Sequence, residues 1–238
     1  MGKIEIFGIK FDNLTLDEAL ENIRGFVVLP YSEFVVRAQK DEEFKNILDS
    51  ADFCLCESRG LYLMARLMGK KLKQNIYGVE LIYKLSQRLK LPAQGGSASG
   101  GKTQKLFLFG GREDVIKKTA EKLGDCVIGY EHGYQDEKKV VDKINLIKPD
   151  VLLVGLGSPK QEKFIYENLK KMPSVKLAIG VGGAFDFISG CTKRAPRILQ
   201  KIGLEWLWRL ILEPRRAKRV YGGVFKLGFL AIKEKISR

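Results

Sequence analysis

The stretch DVLLVGLGSPKQEKFIYENLKKMPSVKLAIGVGG, residues 150–183, decides the fold class. It contains two candidates for buried strands, DVLLVG at 150–155 and LAIGV at 177–181, on either side of a segment with helical spacing at 161–171. Short apolar runs that end in glycine are typical of strands buried on both faces of a parallel sheet. A strand, a helix and a second strand in this order predict a βαβ unit.

The same alternation extends towards the N-terminus. Residues 105–109 are an apolar strand candidate that ends in Gly110-Gly111 and precedes a predicted helix at 113–123. Another strand candidate, at 127–129, precedes a predicted helix at 138–147. The other predicted elements are strands at 4–7 and 52–55, and helices at 16–26, within 32–48, at 61–68 and at 79–89. The pattern predicts an α/β fold, a Rossmann-like and mostly parallel sheet with helices on both faces.

Charge separates the last fifth of the chain from the rest. The 238 residues include 42 Lys and Arg against 28 Asp and Glu, a net charge of +14. Residues 1–192 carry 29 basic and 25 acidic side chains, whereas residues 193–238 carry 13 basic and 3 acidic ones. We therefore predict a Rossmann-like body at 1–192 and a basic, helical C-terminal appendage at 193–238. A hydrophobic fraction of 45% excludes collagen-like and disordered classes.

The appendage interleaves its cations with large apolar side chains, among them Trp206, Trp208, Tyr221, Phe225 and Phe229. This composition favours an anionic membrane surface, where lipid phosphates attract cations and aromatic rings lie at the headgroup level. Two alternatives stay open. The appendage can be a solvated basic face whose aromatic side chains pack on the body, or a binder of single-stranded nucleic acid.

The N-terminus and the cysteines indicate a cytosolic protein. Lys3, Glu5 and Lys10 interrupt the apolar core that a signal peptide needs, and no apolar run reaches the ~20 residues of a spanning helix. The four cysteines lack the spacing of a metal site, which predicts reduced thiols. We predict neither a bound metal nor a cofactor.

Residues 96–103 match the P-loop pattern G-x-x-x-x-G-K-[ST]. In a P-loop this motif follows a buried strand and opens a helix. Here the predicted strand at 105–109 comes after the motif, and the surrounding Gly- and Ser-rich stretch makes a chance match easy. We interpret the stretch as a flexible connection.

Glycine-containing loops follow three of the predicted parallel strands. Ligands of open α/β sheets bind beyond the carboxyl ends of the strands, where glycine lets the backbone approach a ligand closely. The loops therefore predict a nucleotide or diphosphate ligand, although each glycine also fits a tight turn. No D-x-D string occurs that would hold a metal on a nucleotide-sugar, so Lys160 and the appendage arginines are the expected cations. The candidate residues are Gly110, Gly157, Ser158, Pro159, Lys160, Gly182 and Gly183.

Five strings together identify a known family. They are GLGSPKQEKFI at 155–165, GVGGAFDFISG at 180–190, KRAPR at 193–197, GLEWLWRL at 203–210 and EPRRAKR at 213–219. The chain resembles the WecG/TagA/CpsF glycosyltransferases in these strings, and weaker matches extend the resemblance over nearly the whole chain.

The resemblance implies an activity and a location. The family transfers an N-acetylmannosamine-type sugar from a UDP donor to undecaprenyl-diphosphate-linked N-acetylglucosamine, as in teichoic-acid assembly. The resemblance implies an inverting, metal-independent reaction at the inner face of the bacterial membrane, with a peripherally bound and often self-associating protein. Nucleic acid is not an expected partner.

The resemblance also implies roles for individual residues. Gln161 corresponds to an active-site glutamine, and Phe185 and Asp186 to residues of the UDP pocket. Glu57, in the string Cys56-Glu57-Ser58-Arg59-Gly60, takes the place of the acid expected to deprotonate the acceptor hydroxyl. Three appendage positions are expected to hold the diphosphate: Arg209, Arg216 and Arg219.

Some positions depart from the family pattern. A T-P-N or T-x-N string that lines the family's pocket is Leu29-Pro30-Tyr31 here, and a family arginine is replaced by Asn75. The acid of the following G-x-D string is Glu80. These changes fall on the acceptor and catalytic side. They leave a second hypothesis, a protein that binds a UDP-sugar or lipid diphosphate without catalysing transfer.

Overall fold

The computed structural model describes residues 2–90, 104–202, 204–212, 222, 223 and 226–228. The strands are β1 (Lys3–Ile6), β2 (Ile9–Asp12), β3 (Gly25–Val28), β4 (Phe53–Cys54), β5 (Leu106–Gly110), β6 (Val127–Glu131), β7 (Val151–Gly155) and β8 (Leu177–Gly180). The helices are α1 (Leu16–Asn22), α2 (Ser32–Ala38), α3 (Glu42–Asp49), α4 (Arg59–Leu67), α5 (Gly78–Lys90), α6 (Glu113–Leu123), α7 (Glu137–Ile147), α8 (Lys160–Asn168), α9 (Ala184–Ser189), α10 (Arg197–Lys201) and α11 (Glu205–Leu212). The P-loop match at 96–103 lies outside the described residues.

The chain divides into two compact units. The first unit comprises Met1–Ala19, Leu29–Tyr77 and Lys193–Arg238, and the second comprises Leu20–Val28 and Gly78–Thr192. The residues of the predicted appendage thus group with the N-terminal segments of the chain. The functional division into a body at 1–192 and a membrane-contacting appendage at 193–238 stays a prediction.

Five strands of the second unit form a parallel sheet in the order β3-β8-β7-β5-β6. Residues 151–154 of β7 and all of β5 are buried, as their apolar runs predict, and helices α6 and α8 pack against these strands. The register pairs Gly110 with Gly155, and Val154 with Gly180. The loops that follow β5, β7 and β8 therefore leave the sheet at the same edge. The predicted α/β fold with a parallel sheet is confirmed.

The helix predicted at 16–26 is wrong in its second half. Helix α1 ends at Asn22, and strand β3 begins at Gly25, whose φ of 65° interrupts a right-handed helix. Phe26 and Val27 are buried in the sheet opposite Ala178 and Ile179 of β8. β-Branched and aromatic side chains favour a strand, and the sheet determines the conformation of this segment.

The helical stretch predicted within residues 32–48 is divided into α2 and α3. The division occurs at Asp41, whose side chain accepts a hydrogen bond from the Phe44 N–H at 2.9 Å and caps the second helix. The helix predicted at 161–171 likewise ends early, because α8 gives way to a 3₁₀ turn at Leu169–Lys171.

The first unit contains an antiparallel hairpin of β1 and β2. Asp12 at the end of β2 is 6% exposed and accepts a hydrogen bond from the Cys54 N–H at 2.9 Å. The Lys3 ammonium lies 3.5 Å from the same carboxylate oxygen. A buried carboxylate that is both hydrogen-bonded and paired ties the hairpin to β4.

Helix α4 covers most of the apolar helix predicted at 61–68. It buries Leu61, Tyr62 and Ala65 and leaves Leu67 75% exposed. Most of its apolar character is therefore used inside the first unit, and self-association stays a prediction. Among the helices of the described residues, none is both long and apolar enough to cross a bilayer.

Candidate functional site

Close backbone packing joins the glycine loops at the carboxyl edge of the sheet in the second unit. The Gly111 N–H donates to the Gly155 carbonyl at 3.1 Å. A Cβ at Gly110 would overlap the backbone carbonyl of Gly155, and a Cβ at Gly155 would lie 2.5 Å from the Phe185 ring. Any side chain at Gly110 or Gly155 would therefore push these loops apart.

We expect Gly110→Ala to lower the free energy of unfolding by about 2–5 kcal/mol, because it adds overpacking and a strained backbone at φ 124°. Urea denaturation followed by circular dichroism measures this loss. Gly157→Ala is the matched control: its φ is 78°, but no atom lies within 4 Å of the added Cβ. Only backbone strain applies there, at about 1–2 kcal/mol. Equal losses in the two variants would contradict the close packing at Gly110.

The Gln161 side chain connects two of the glycine loops. Its Oε1 accepts hydrogen bonds from the Gly157 N–H at 3.1 Å and from the Gly182 N–H at 2.9 Å. The side-chain amide donates from Nε2 to Glu162 Oε1 at 2.6 Å. Gln161 is 3% exposed. It therefore fixes the loops after β7 and β8 relative to each other.

Glu162, which sequence reasoning did not single out, supports this arrangement. It is 0% exposed, and its carboxylate orients the Gln161 amide so that Oε1 faces the two N–H groups. Glycine at position 180 leaves room for the pair, because a Cβ there would lie 2.9 Å from Gln161 Nε2 and 3.0 Å from Glu162 Oε1. The sequence signal for Glu162 is the charged residue directly after Gln161 in the PKQE string.

The other predicted nucleotide-site residues occupy different environments. Phe185 is 1% exposed, and its ring packs under Gly155, so it supports the glycine loops from the core. Asp186 is half-buried, Lys160 is exposed at the start of α8, and Gly183 directly precedes α9. Within the described residues, the buried Ser158 Oγ has no hydrogen-bond partner. Ser158 and Pro159 lie in the loop after β7, which Gln161 links to the loop after β8, and these two loops are named the Gln161-linked edge.

Arg112 is a further cation at this edge, two residues after Gly110. It donates from Nε to Asp114 Oδ1 at 3.1 Å. The hydrogen bond to Asp114 raises the pKa of Arg112, with a smaller contribution from the negative charge of Asp186. The sequence signal for Arg112 is an arginine directly after Gly110-Gly111.

Glu57, the predicted base, lies in the first unit on the loop between β4 and α4. Its backbone is fixed from two directions: the Glu57 N–H donates to the Pro30 carbonyl at 3.1 Å, and Asn75 Nδ2 donates to the Glu57 carbonyl at 3.4 Å. Ser58 caps the following helix by accepting from the Leu61 N–H at 3.2 Å. Glu57 is half-buried, and these contacts hold the backbone that carries its carboxylate.

The neighbouring Cys56 is not a candidate nucleophile. Burial raises the pKa of the Cys56 thiol, and the negative charge of Glu57 raises it further. The thiol therefore stays protonated at neutral pH, whereas the thiolate is the nucleophilic form. The cysteines are free thiols, and within the described residues no group of His, Cys, Asp and Glu side chains could hold a metal ion.

Two of the departures from the family pattern, at Leu29-Pro30-Tyr31 and at Asn75, lie beside Glu57. The Pro30 carbonyl accepts the hydrogen bond from the Glu57 N–H described above. The ring of the next residue, Tyr31, packs on the Phe34 ring with their centroids 4.8 Å apart. Asn75 is 7% exposed and accepts a hydrogen bond from Arg59 Nη1 at 3.4 Å. Both changed segments thus contribute to the support of the predicted base.

Of the predicted diphosphate-binding arginines, Arg209 lies in α11, whereas Arg216 and Arg219 lie outside the described residues. A cavity of about 380 Å³ lies beside β6, where His132 contributes to the lining. None of the predicted site residues lines this cavity, and His132 accepts a hydrogen bond from the Tyr134 N–H at 3.2 Å. The cavity is therefore lined by neither the Gln161-linked loops nor the Glu57 loop.

Comparison with known proteins gives consistent matches. The family model described as "Glycosyl transferase WecG/TagA/CpsF family" matches residues 4–238. A relative from Bacillus spizizenii strain W23 is 33% identical over 206 residues, covering 84% of this chain and 76% of the relative. A relative from Bacillus subtilis strain 168 is 35% identical over 194 residues, covering 79% of this chain and 72% of the relative. A relative from Staphylococcus aureus strain NCTC 8325 is 28% identical over 234 residues, covering 92% of this chain and 88% of the relative. All three are named N-acetylglucosaminyldiphosphoundecaprenol N-acetyl-beta-D-mannosaminyltransferase.

Proposed function

Because the chain belongs to the WecG/TagA/CpsF glycosyltransferase family, we propose that it transfers an N-acetylmannosamine-type sugar from a UDP donor to undecaprenyl-diphosphate-linked N-acetylglucosamine. The observation that carries the proposal is the match to relatives named for this transfer over 79–92% of the chain. The Gln161-linked edge and the supported Glu57 loop both lie within the matched residues. The product is an intermediate of a teichoic-acid-like surface polymer.

The second unit is the proposed donor-binding part. Its glycine loops lie at the carboxyl edge of a parallel sheet, the position at which such sheets bind nucleotides, and their lack of side chains lets a ligand approach the backbone closely. Lys160 and Arg112 supply positive charge at this edge, where Asp186 is half-buried. Gln161 keeps the loops after β7 and β8 in register. We assign the UDP group to this edge.

The chemistry follows from the base and the leaving group. Glu57 removes the proton from the acceptor hydroxyl, and the oxygen attacks the anomeric carbon of the donor sugar from the face opposite UDP. The bond between the anomeric carbon and the phosphate oxygen breaks, so the product has inverted configuration. Arg209, Arg216 and Arg219 neutralise the departing UDP, which removes the need for a metal ion in this reaction.

UDP release from a panel of UDP-N-acetylhexosamines, with and without a short-chain lipid-diphosphate N-acetylglucosamine acceptor, tests the proposal. We expect release to depend on the acceptor and to be fastest with UDP-N-acetylmannosamine. Acceptor-dependent release with a different sugar would change the donor assignment. UDP binding without turnover on any acceptor would favour the alternative, a non-catalytic binder, to which the Leu29-Pro30-Tyr31 change points.

The C-terminal part is the proposed contact with the membrane. Three isoleucines of the α10–α11 region are largely exposed: Ile198 at 73%, Ile202 at 54% and Ile211 at 65%. They lie in the segment that carries 13 basic and 3 acidic side chains. Apolar side chains that enter the headgroup region, together with about 1 kcal/mol per cation near anionic lipid, support peripheral binding at the inner face of the membrane.

Vesicle flotation tests this contact. We expect binding to phosphatidylcholine vesicles with 30% phosphatidylglycerol and little binding to pure phosphatidylcholine. Ile198→Ser together with Ile211→Ser should weaken binding about tenfold or more, since each isoleucine contributes about 1.5–3 kcal/mol when fully buried. Leu67→Ser, at an exposed position on α4, is the matched control. Binding that disappears on addition of competing RNA would instead favour a nucleic-acid site.

A further inference from the structure

Arg194 has an unusual environment in the first unit. Its guanidinium carbon lies 5.6 Å from the centroid of the Tyr77 ring. Its Nε is buried without a hydrogen-bond partner, and within the described residues no carboxylate pairs with it. An unsatisfied buried donor costs free energy, and a functional role is one explanation for such a group in a native protein.

The loop that carries Arg194 is fixed by hydrogen bonds on both sides of the arginine. Gln200 Nε2 donates to the Ala195 carbonyl at 2.6 Å, and Trp208 Nε1 donates to the Lys193 carbonyl at 3.2 Å. The Tyr77 hydroxyl donates to the Gln200 carbonyl at 3.4 Å. Tyr77 thus contacts both Arg194 and the helix that follows it, and the backbone on either side of the arginine is held by hydrogen bonds.

The same segment of chain supports the proposed base. Tyr77 directly follows Ile76, whose N–H donates to the Cys56 carbonyl at 2.7 Å. The preceding Asn75 contacts both the Glu57 carbonyl and the Arg59 guanidinium. Residues 75–77 therefore connect Arg194 with the Glu57 loop inside a single unit. An anion held by Arg194 would be bound by the unit that also carries the base.

The chemistry of a stacked arginine selects its ligand. A guanidinium on an aromatic face is weakly hydrated and presents its N–H groups in a planar fork that matches phosphate. A lysine in the same place would offer only a point charge. From this environment we infer that Arg194 binds a phosphate group of a diphosphate-containing substrate. The inference rests on the proposed function, in which two substrates carry a diphosphate: the UDP donor and the lipid-linked acceptor.

Isothermal titration of the full chain with two probes, UDP and farnesyl diphosphate, tests the inference and separates the two sources. We expect Arg194→Ala to weaken the binding of one probe about 10- to 100-fold, the loss typical of a hydrogen bond between charged groups. Weaker farnesyl diphosphate binding assigns Arg194 to the acceptor, and weaker UDP binding assigns it to the donor. Unchanged affinity for both probes would overturn the inference.

The controls separate a ligand contact from a packing role. Arg66→Ala removes another arginine that lies over a tyrosine ring, at 5.9 Å from Tyr62, on an exposed position of the same unit. It should change neither affinity. Arg194→Lys keeps the charge and should recover part of the lost affinity, and it serves as the test if Arg194→Ala does not fold. Because these titrations need no turnover, a failed transferase assay leaves their outcome interpretable.

Discussion

Glu57→Gln is expected to lower kcat by about 10²- to 10⁴-fold, the usual contribution of a general base. The amide keeps the size of the side chain and leaves the backbone contacts to Pro30 and Asn75 in place. It cannot accept the proton of the acceptor hydroxyl. Steady-state kinetics with saturating donor and acceptor measures the loss, and UDP affinity should not change.

Two further variants test whether the loss of activity comes from the missing carboxylate at this position. Glu57→Asp retains a carboxylate one methylene shorter and should recover most of the activity that Glu57→Gln loses. Glu5→Gln, at an exposed carboxylate on β1 of the same unit, should have no effect. Turnover within twofold of the parent enzyme in Glu57→Gln would remove Glu57 from the mechanism.

Gln161→Ala is expected to reduce both stability and activity. It leaves the N–H groups of Gly157 and Gly182 without their acceptor and the buried Glu162 without its amide donor. Loss of the amide donor to the buried Glu162 costs about 1–3 kcal/mol and the two half-buried N–H groups cost less, so the free energy of unfolding should fall by about 2–4 kcal/mol. The glycine loops should lose their fixed spacing. A positioning error of about 1 Å costs roughly 10²-fold in rate.

The separate effects of Gln161→Ala on the KM for the donor and on the KM for the acceptor identify the role of Gln161. If it acts by shaping the donor loops, Gln161→Ala should raise the KM for the UDP-sugar and weaken UDP binding, with the acceptor KM unchanged. Gln87→Ala, at an exposed glutamine on α5 of the same unit, is the matched control. A normal UDP affinity in Gln161→Ala would contradict a loop-positioning role.

The parallel sheet was predictable because β5 and β7 are continuous apolar runs bounded by glycine, a pattern with few other solutions. Strand β3 was not predictable, because the apolar spacing of α1 continues by coincidence into Phe26 and Val27 and makes the segment resemble one helix. Gly25 was the available signal for a break. The conformation of this segment is determined by its pairing with β8, a contact with residues about 150 positions further along the chain.

Motif strings in the sequence point to individual residues of the candidate site, but they do not predict the contacts between those residues. The family strings single out Gln161 and Glu57 as candidates, but the hydrogen bonds that the Gly157 and Gly182 N–H groups donate to Gln161 depend on how two loops meet. No spacing rule predicts that Arg194 lies over Tyr77. The fully buried Glu162 reads in the sequence as one of many surface glutamates, since charged residues are rarely buried without a specific partner.

The discontinuous first unit has a consequence for the order of synthesis. Tyr77 meets Gln200 only after 123 further residues have been made. At 5–20 residues per second this takes about 6–25 s on the ribosome. The segments that form the second unit are all synthesised during or before that interval. The part of the protein that holds the proposed base is therefore the last to be completed, and enzymatic activity should begin only after translation has passed α10.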